Sequence, residues 1–413
     1  MSYRLLLIVF FPFVFFYTLK IAIRYRCLTY FLQRLGFFYP VVGPDVIWLH
    51  CASVGEVNTA IPLVKLFVKH NPDQRLVLTT TTPTGAKIVS QNNISNVVHC
   101  YLPVDMRFSV RRFLKKIKPQ LALIMETELW PELYRCCQQF AIPITIINGR
   151  LSNRTLKANT WLKKQYKLAL ARVDHVLARS EADKKGFIEL GCEADKIEVP
   201  GNLKFACGSR SKPGDITGFT GRHYVLAAST HDDEELQLAH LWKNVNNQNH
   251  LLVIVPRHPE RGREIFTNIQ QLGMDVALRS NKDVVTDETQ IYIADTLGEL
   301  VNFMATADIV FMGGSLVKHG GQNILEPARL AKPIIIGPSV YNFQQEVDLF
   351  LSNNACIQVN DVDALTEVIN NLLNDRALGD ELGARAAQLM VHQSHIAETY
   401  RTSLKKYYKD YFL

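Results

Sequence analysis

The chain has 413 residues, with 46 Lys and Arg against 39 Asp and Glu for a net charge of +7, and is 47% hydrophobic and 21% charged. This length excludes a single small domain and, at about 150 residues per domain, predicts two or three; the composition excludes a disordered chain. The basic excess suits an anionic surface or substrate but lacks the density of a nucleic-acid-binding arm, and eight cysteines without a Cys-x-x-Cys pair indicate neither a disulfide framework nor a zinc site, which favours a reducing compartment.

The first element is apolar. No charge interrupts Leu5 to Leu19, and Ile21-Ala22-Ile23 extends the run past Lys20, enough for a bilayer span of about 17 to 25 residues if Lys20 snorkels. Arg4 alone precedes it, whereas Lys20, Arg24, Arg26 and Arg34 follow, a bias that puts the body of the protein on the cytoplasmic side. The charged and bulky residues after the run do not resemble a signal-peptide cleavage site. Pro12 and the aromatic load leave a span and an interfacial helix as alternatives, with the span preferred.

Beyond the anchor, strand-like and helix-like segments alternate. Val46 to His50, Arg75 to Thr82, Leu121 to Glu126, Ile144 to Asn148 and His175 to Ser180 read as strands apolar on both faces, separated by amphipathic stretches, the pattern of a parallel sheet covered by helices. Glycine, serine and proline crowd Ala206 to His223, a linker. Alternation resumes with strands at Tyr224 to Thr230, Leu251 to Pro256, Ile291 to Ala294, Ile309 to Met312 and Pro333 to Ile336, and the tail from Leu378 to Tyr408 is helix-like. The predicted organisation is a membrane anchor helix over 1–35, a Rossmann-like domain over 36–207, a linker over 208–222, a second Rossmann-like domain over 223–385, and a C-terminal helix over 386–413 that packs back on the first domain. This is an α/β architecture of two parallel-sheet domains facing a central cleft, where ligands bind beyond the carboxyl ends of the strands.

Motifs at those strand ends carry the candidate chemistry. Ser53-Val54-Gly55-Glu56 follows the first strand; Ser-x-x-Glu is a capping box, the preferred reading of the motif taken alone, with Glu56 as a general base at the cleft as the alternative. Glu126-Thr127-Glu128 closes another strand; the N-terminus of the next helix accounts for Glu128 better than for Glu126, which closes the apolar run. Lys204, before the linker, suits a phosphate or carboxylate but is also an ordinary solvated lysine. In the second half, Pro256-Arg257-His258 ends a strand with charge suited to an anion. Met312-Gly313-Gly314-Ser315 and Gly320-Gly321-Gln322-Asn323-Ile324-Leu325-Glu326 place glycines where backbone N–H groups can approach a phosphate, with Glu326 as a reader of ribose hydroxyls; tight turns are the alternative. Arg107, Arg111, Arg112, Lys115, Lys116 and Lys118 form either a wet helix face or a contact for anionic lipid. No dinucleotide fingerprint, Walker A motif or metal signature is present.

Taken together, His50 to Glu56, Thr79 to Gly85, Tyr101 to Asp105, Glu126 to Pro131, Asn148 to Ser152 and Gly201 to Phe205, followed by Pro256 to Arg261, Asp295 to Leu300, Phe311 to Ser315 and Asn323 to Pro327, resemble the 3-deoxy-D-manno-octulosonic acid (Kdo) transferases of lipopolysaccharide synthesis, from the anchor to about Phe350. The resemblance implies a GT-B fold in which the C-terminal domain holds CMP-Kdo and the N-terminal domain receives the lipid A precursor (lipid IV-A) at the cytoplasmic face of the inner membrane. It implies Glu56 as catalytic base, Glu126 and Lys204 as stabilisers of the transition state, and Pro256, Arg257, Leu297, Gly298, Glu299, Asn323, Ile324, Leu325 and Glu326 as the CMP-contacting segments, with no metal, no cofactor and no nucleic-acid partner. Gln322 departs from the histidine that family members often carry and cannot become cationic. The alternatives are a two-domain glycosyltransferase using a UDP-sugar and a catalytically silent relative that binds nucleotide or lipid.

Overall fold

The computed structural model describes residues 3–151, 153–206, 216, 222–245 and 250–411. Two compact units are present, one of Met1–Gly208 with Ser394–Leu413, the other of Ser209–Gln393. The predicted linker over 208–222 lies outside the described residues except at 216 and 222.

In the first unit α1 (Tyr3–Arg24) and α2 (Leu28–Arg34) precede β1 (Val46–His50), α3 (Val54–His70), β2 (Arg75–Thr80), α4 (Pro83–Asn92), β3 (Val97–Tyr101), α5 (Arg107–Ile117), β4 (Pro119–Met125) and α6 (Pro131–Gln139). Next come β5 (Ile144–Gly149), α7 (Asn153–Leu156), α8 (Thr160–Leu170), β6 (His175–Ala178), α9 (Glu181–Glu189) and β7 (Ile197–Glu198). The strands form one parallel sheet in the order β3-β2-β1-β4-β5-β6-β7. Every residue of β1 is buried because helices cover both faces, and Trp48 and Tyr39 pack edge-on against Phe113 of α5 at 5.0 and 5.1 Å between ring centres.

The second unit repeats the plan with β8 (Tyr224–Thr230), α10 (Glu234–Trp242), β9 (Leu251–Pro256), α11 (Gly262–Gln270), β10 (Val276–Leu278), β11 (Ile291–Ile293), α12 (Leu300–Thr306) and β12 (Ile309–Met312). It continues with α13 (Leu325–Arg329), β13 (Ile334–Ile336), α14 (Gln344–Ser352), β14 (Ile357–Gln358), α15 (Val362–Asn374) and α16 (Arg376–His392). Its sheet is also all parallel, ordered β10-β11-β9-β8-β12-β13-β14. Both are Rossmann-like sheets. Strands β3, β7, β10 and β14, unread in the sequence, are short or lie at the sheet margins, where burial leaves a weaker apolar signal.

The helix-like tail is two helices. After α16 the chain enters the first unit at Ser394, and α17 (Ile396–Tyr407) packs there against α3. Tyr400 of α17 donates its hydroxyl to the Gly201 carbonyl at 2.8 Å, Tyr408 shares a hydrogen bond with Thr145 at 2.7 Å, and Tyr407 stacks on His175 at 3.6 Å.

Candidate active site

In the first sheet the strand order reverses between β1 and β4, and at such a point the loops leaving neighbouring strands diverge and open a crevice. The first turn of α3, just after β1, carries Glu56, and the loop after β4 carries Glu126. The N-cap half of the capping box forms: Ser53 accepts from the Glu56 N–H at 3.3 Å, and it donates its hydroxyl to Glu56 Oε1 at 2.9 Å. Glu56 Oε2 accepts from the Ala52 N–H at 2.8 Å, and the Ala52 carbonyl accepts from Thr81 at 2.6 Å, which locks the peptide in place. The amide that Glu56 takes up precedes the helix, so each carboxylate oxygen holds one described bond and keeps lone-pair capacity for another. Burial, followed by the charge of Glu126, pushes the Glu56 carboxyl up to about 8, against the opposing effect of the Ala52 and Ser53 bonds.

Glu126 stands at φ +55, a conformation that non-glycine residues seldom adopt, held there by its N–H bond to the Ile147 carbonyl at 2.9 Å. Its carboxylate pairs with Arg150 at 3.6 Å. Glu128 is not in the helix N-terminus expected for it: α6 starts at Pro131 with Trp130 as its cap residue, and Glu128 instead accepts from the Trp130 indole at 2.7 Å. Burial raises the Glu128 carboxyl while Arg34 pulls it down. Three carboxylates thus influence one another here, with Arg34 and Arg150 as countercharges, and neither arginine was singled out for this site in the sequence because nothing local ties α2 or the end of β5 to Glu126 and Glu128.

Lys204 lies in a 3-10 turn, Leu203–Ala206, which packs against α3 and α17. Asn148, at φ +52 and fully buried, accepts from the Leu203 N–H at 3.0 Å. Gly201 at φ +109 faces Ile396, close enough that a Cβ would meet its side chain at 3.2 Å. Helix α17 therefore sets the backbone from which Lys204 projects. Under the site, His50 bonds Thr79 through Nδ1 at 2.9 Å, its Nε2 has no hydrogen-bond partner among the described residues, and burial lowers its pKa to about 3, leaving a neutral ring.

In the second unit the order reverses between β8 and β12. The glycine loop after β12 is not an open cradle. Buried Glu234 of α10 accepts from the N–H groups of Gly314 at 2.6 Å, Ser315 at 3.2 Å and Leu316 at 3.1 Å, so the donors expected for phosphate are already satisfied. Nothing in the sequence distinguishes Glu234 from its acidic neighbours, because its target lies about eighty residues away. Beside it, Gln322 bonds His231 at 2.9 Å, and His231 stacks on His319 at 4.2 Å; an imidazole thus stands next to the uncharged Gln322.

The remaining candidates divide by burial. Pro256 ends β9, Arg257 is exposed, and its N–H bonds the Thr230 carbonyl at 2.9 Å. Leu297 is 85% exposed, and Gly298 at φ +94 has open space where a side chain would stand. Glu299 is engaged by Arg279 at 2.6 Å and by Thr296, which holds its carboxyl below the usual range. Asn323 accepts from the Leu325 N–H at 3.2 Å and Glu326 is half-buried, whereas Ile324 and Leu325 are each 1% exposed and pack into the core, leaving only their backbones for a ligand. Among the described residues, His223, His250 and Asp308 bring possible metal-ligand atoms within 4.8 Å of one another, at the starts of β8, β9 and β12 and thus at the opposite sheet end from Pro256 and Gly313. In this arrangement His223 Nδ1 and Asp308 share a hydrogen bond at 3.0 Å.

Residues 29–207 match the family model described as 3-deoxy-D-manno-octulosonic-acid transferase (kdotransferase). The chain is 32% identical to the 3-deoxy-D-manno-octulosonic acid transferase of Haemophilus influenzae over 93% of its own length and 92% of that protein, and 33% identical to the enzyme of the same name from Rickettsia typhi over 80% and 72%. Among solved structures, a putative UDP-N-acetylglucosamine 2-epimerase from Listeria monocytogenes superposes with a TM-score of 0.62 at 12% identity, covering 89% of this chain and 98% of that one, a likeness of fold.

Proposed function

Because this chain belongs to the 3-deoxy-D-manno-octulosonic acid transferase family and is a Kdo-transferring glycosyltransferase, we propose that it moves Kdo from CMP-Kdo to a lipid A precursor, lipid IV-A, in lipopolysaccharide synthesis, with Glu56 as the general base. The observation that carries this reading is the Glu56 carboxyl, raised to about 8 beside Glu126 at the sheet's reversal point. A proton acceptor works best when its pKa lies near the working pH.

In this mechanism Glu56 takes the proton of an acceptor hydroxyl as its oxygen attacks the ketosidic carbon of Kdo from the face opposite CMP. The bond to the phosphate oxygen breaks, CMP leaves with the electron pair, and the configuration inverts. Glu126 and Lys204 stabilise the charge that builds during transfer. Arg257 and the backbone around Gly298 and Asn323 to Glu326 hold the nucleotide. The leaving group carries a single phosphate, whose charge arginine and backbone donors can meet without a divalent ion.

A donor panel tests the assignment. CMP-Kdo supports transfer to a lipid A precursor, UDP-sugars do not, and chelator leaves the rate unchanged; transfer from a UDP-sugar in preference to CMP-Kdo overturns the donor, and a rate restored only by added metal overturns the metal-independent mechanism. Membrane attachment runs through α1, a 22-residue helix whose 18-residue apolar window has a mean hydropathy of 2.3, long and apolar enough to cross a membrane.

A further inference from the structure

Helix α1 is about 33 Å long at 1.5 Å per residue, enough for a crossing, yet both of its ends are fastened to the unit it precedes. In its first turn the Tyr3 hydroxyl donates to Asp105 at 2.7 Å, and Arg4 forms a two-pronged ion pair with Glu132 at 2.9 and 2.6 Å. Asp105 in turn accepts from the N–H groups of Glu132 and Leu133 at 3.1 and 2.7 Å, so α1 begins against the N-terminal turn of α6. In its last turn Ala22 is buried with Tyr30 and Tyr101, and about two turns earlier Phe15 meets Phe31 edge-on at 5.3 Å. Tyr101 and Asp105 belong to one short segment, and between them Leu102, Pro103 and Val104 line one small cavity together with Leu7, Phe11 and Val14.

A helix that crossed the bilayer would carry Arg4 about 30 Å from any residue on the body's side. The opposite face of α1 presents Ile8, Val9, Phe13, Phe16, Tyr17 and Ile23 with exposures of 57% to 73%, an apolar patch too large and continuous to rest in water. Its borders are basic: Arg107, Arg111 and Lys115 of α5 share a groove of about 620 Å³ with Leu7 and Ile8, and Lys20, Arg24 and Arg26 lie at the other end.

We propose that α1 does not cross the membrane but lies in its plane, with its outer face in the acyl layer, the α5 cations on anionic headgroups, and the N-terminus on the same side as the folded units. This deepens the proposed function by seating the Glu56-bearing unit on the leaflet that holds a lipid-borne acceptor, but it rests on the α1 contacts alone.

The test places a short epitope tag before Met1 of the full chain. In spheroplasts, added protease spares the tag, and in inverted inner-membrane vesicles it removes it; removal in spheroplasts overturns the proposal and leaves the assignment of Glu56 untouched. Arg4→Glu lowers the unfolding midpoint of the membrane-bound protein by several degrees and Glu132→Arg in the same chain restores most of the loss, because the charges face each other; no restoration overturns the contact. Phe13→Asp with Phe16→Asp cuts binding to vesicles of phosphatidylglycerol and phosphatidylethanolamine at least tenfold while CMP binding stays unchanged; unchanged vesicle binding refutes the outer face as the lipid contact.

Discussion

Replacing Glu56 by Gln separates stability from chemistry, because the structure predicts opposite signs for the two. The carboxyl rises from an ordinary 4.5 to about 8 on folding, so the folded chain holds this proton more tightly than the unfolded one. The stability linked to it is complete below pH 4.5, declines as pH rises, and is gone above about 8. At about 1.4 kcal/mol for each pH unit between those values, the full loss is on the order of 5 kcal/mol, an upper bound because water and side-chain relaxation soften burial. Glutamine never ionises, and its amide oxygen still accepts from Ala52 or Ser53. Glu56→Gln is therefore expected to match the parent near pH 4 and to exceed it by about 1 to 3 kcal/mol at pH 8 in urea-unfolding titrations. Transfer falls about 10²- to 10⁴-fold, the usual contribution of a general base, and the parent's rate climbs with pH toward a plateau above about 8. A variant that turns over at a near-normal rate, or whose stability tracks the parent across pH, refutes the assignment.

Glu126→Gly relieves the positive φ and gains about 1 kcal/mol, less the half-buried pair with Arg150, while transfer drops at least a hundredfold; thermal melts and initial rates report the two effects. Glu234→Ala leaves three loop N–H groups unpaired and costs roughly 3 kcal/mol or more, with weaker CMP binding by calorimetry, whereas Glu234→Gln loses less because its amide oxygen still accepts. Tyr400→Phe strips a hydrogen bond from the Gly201 carbonyl at about 1 to 2 kcal/mol and lowers kcat more than it raises KM for CMP-Kdo, since the turn it steadies carries Lys204.

Some features of the site were plain in the residue order and others were not. Ser53-x-x-Glu56 announces a capping box, and its N-cap half is there, while the glutamate takes the Ala52 amide rather than that of Ser53; its raised carboxyl is not written in that motif, since it arises from burial in the packed chain and then from the charge of Glu126. Glu126 stood out because it closes an apolar strand, but its left-handed backbone depends on a bond to Ile147 across the sheet. The glycines after Met312 suggested an open cradle, and a distant carboxylate fills it. Ile324 and Leu325 were grouped with a binding motif, and their side chains turn to the core because the short α13 must bury one face.

Strand and helix type, the two-unit repetition and the apolar opening segment were settled by local order, because the alternation of hydrophobic runs with amphipathic stretches acts over a few neighbours at a time. Which carboxylate caps which amides, which acid is lifted toward neutrality, and whether a membrane-length helix leaves the body or lies along it were decided only by the packed chain. Those outcomes turn on competition for hydrogen bonds and on desolvation, and both depend on partners supplied from distant parts of the polypeptide.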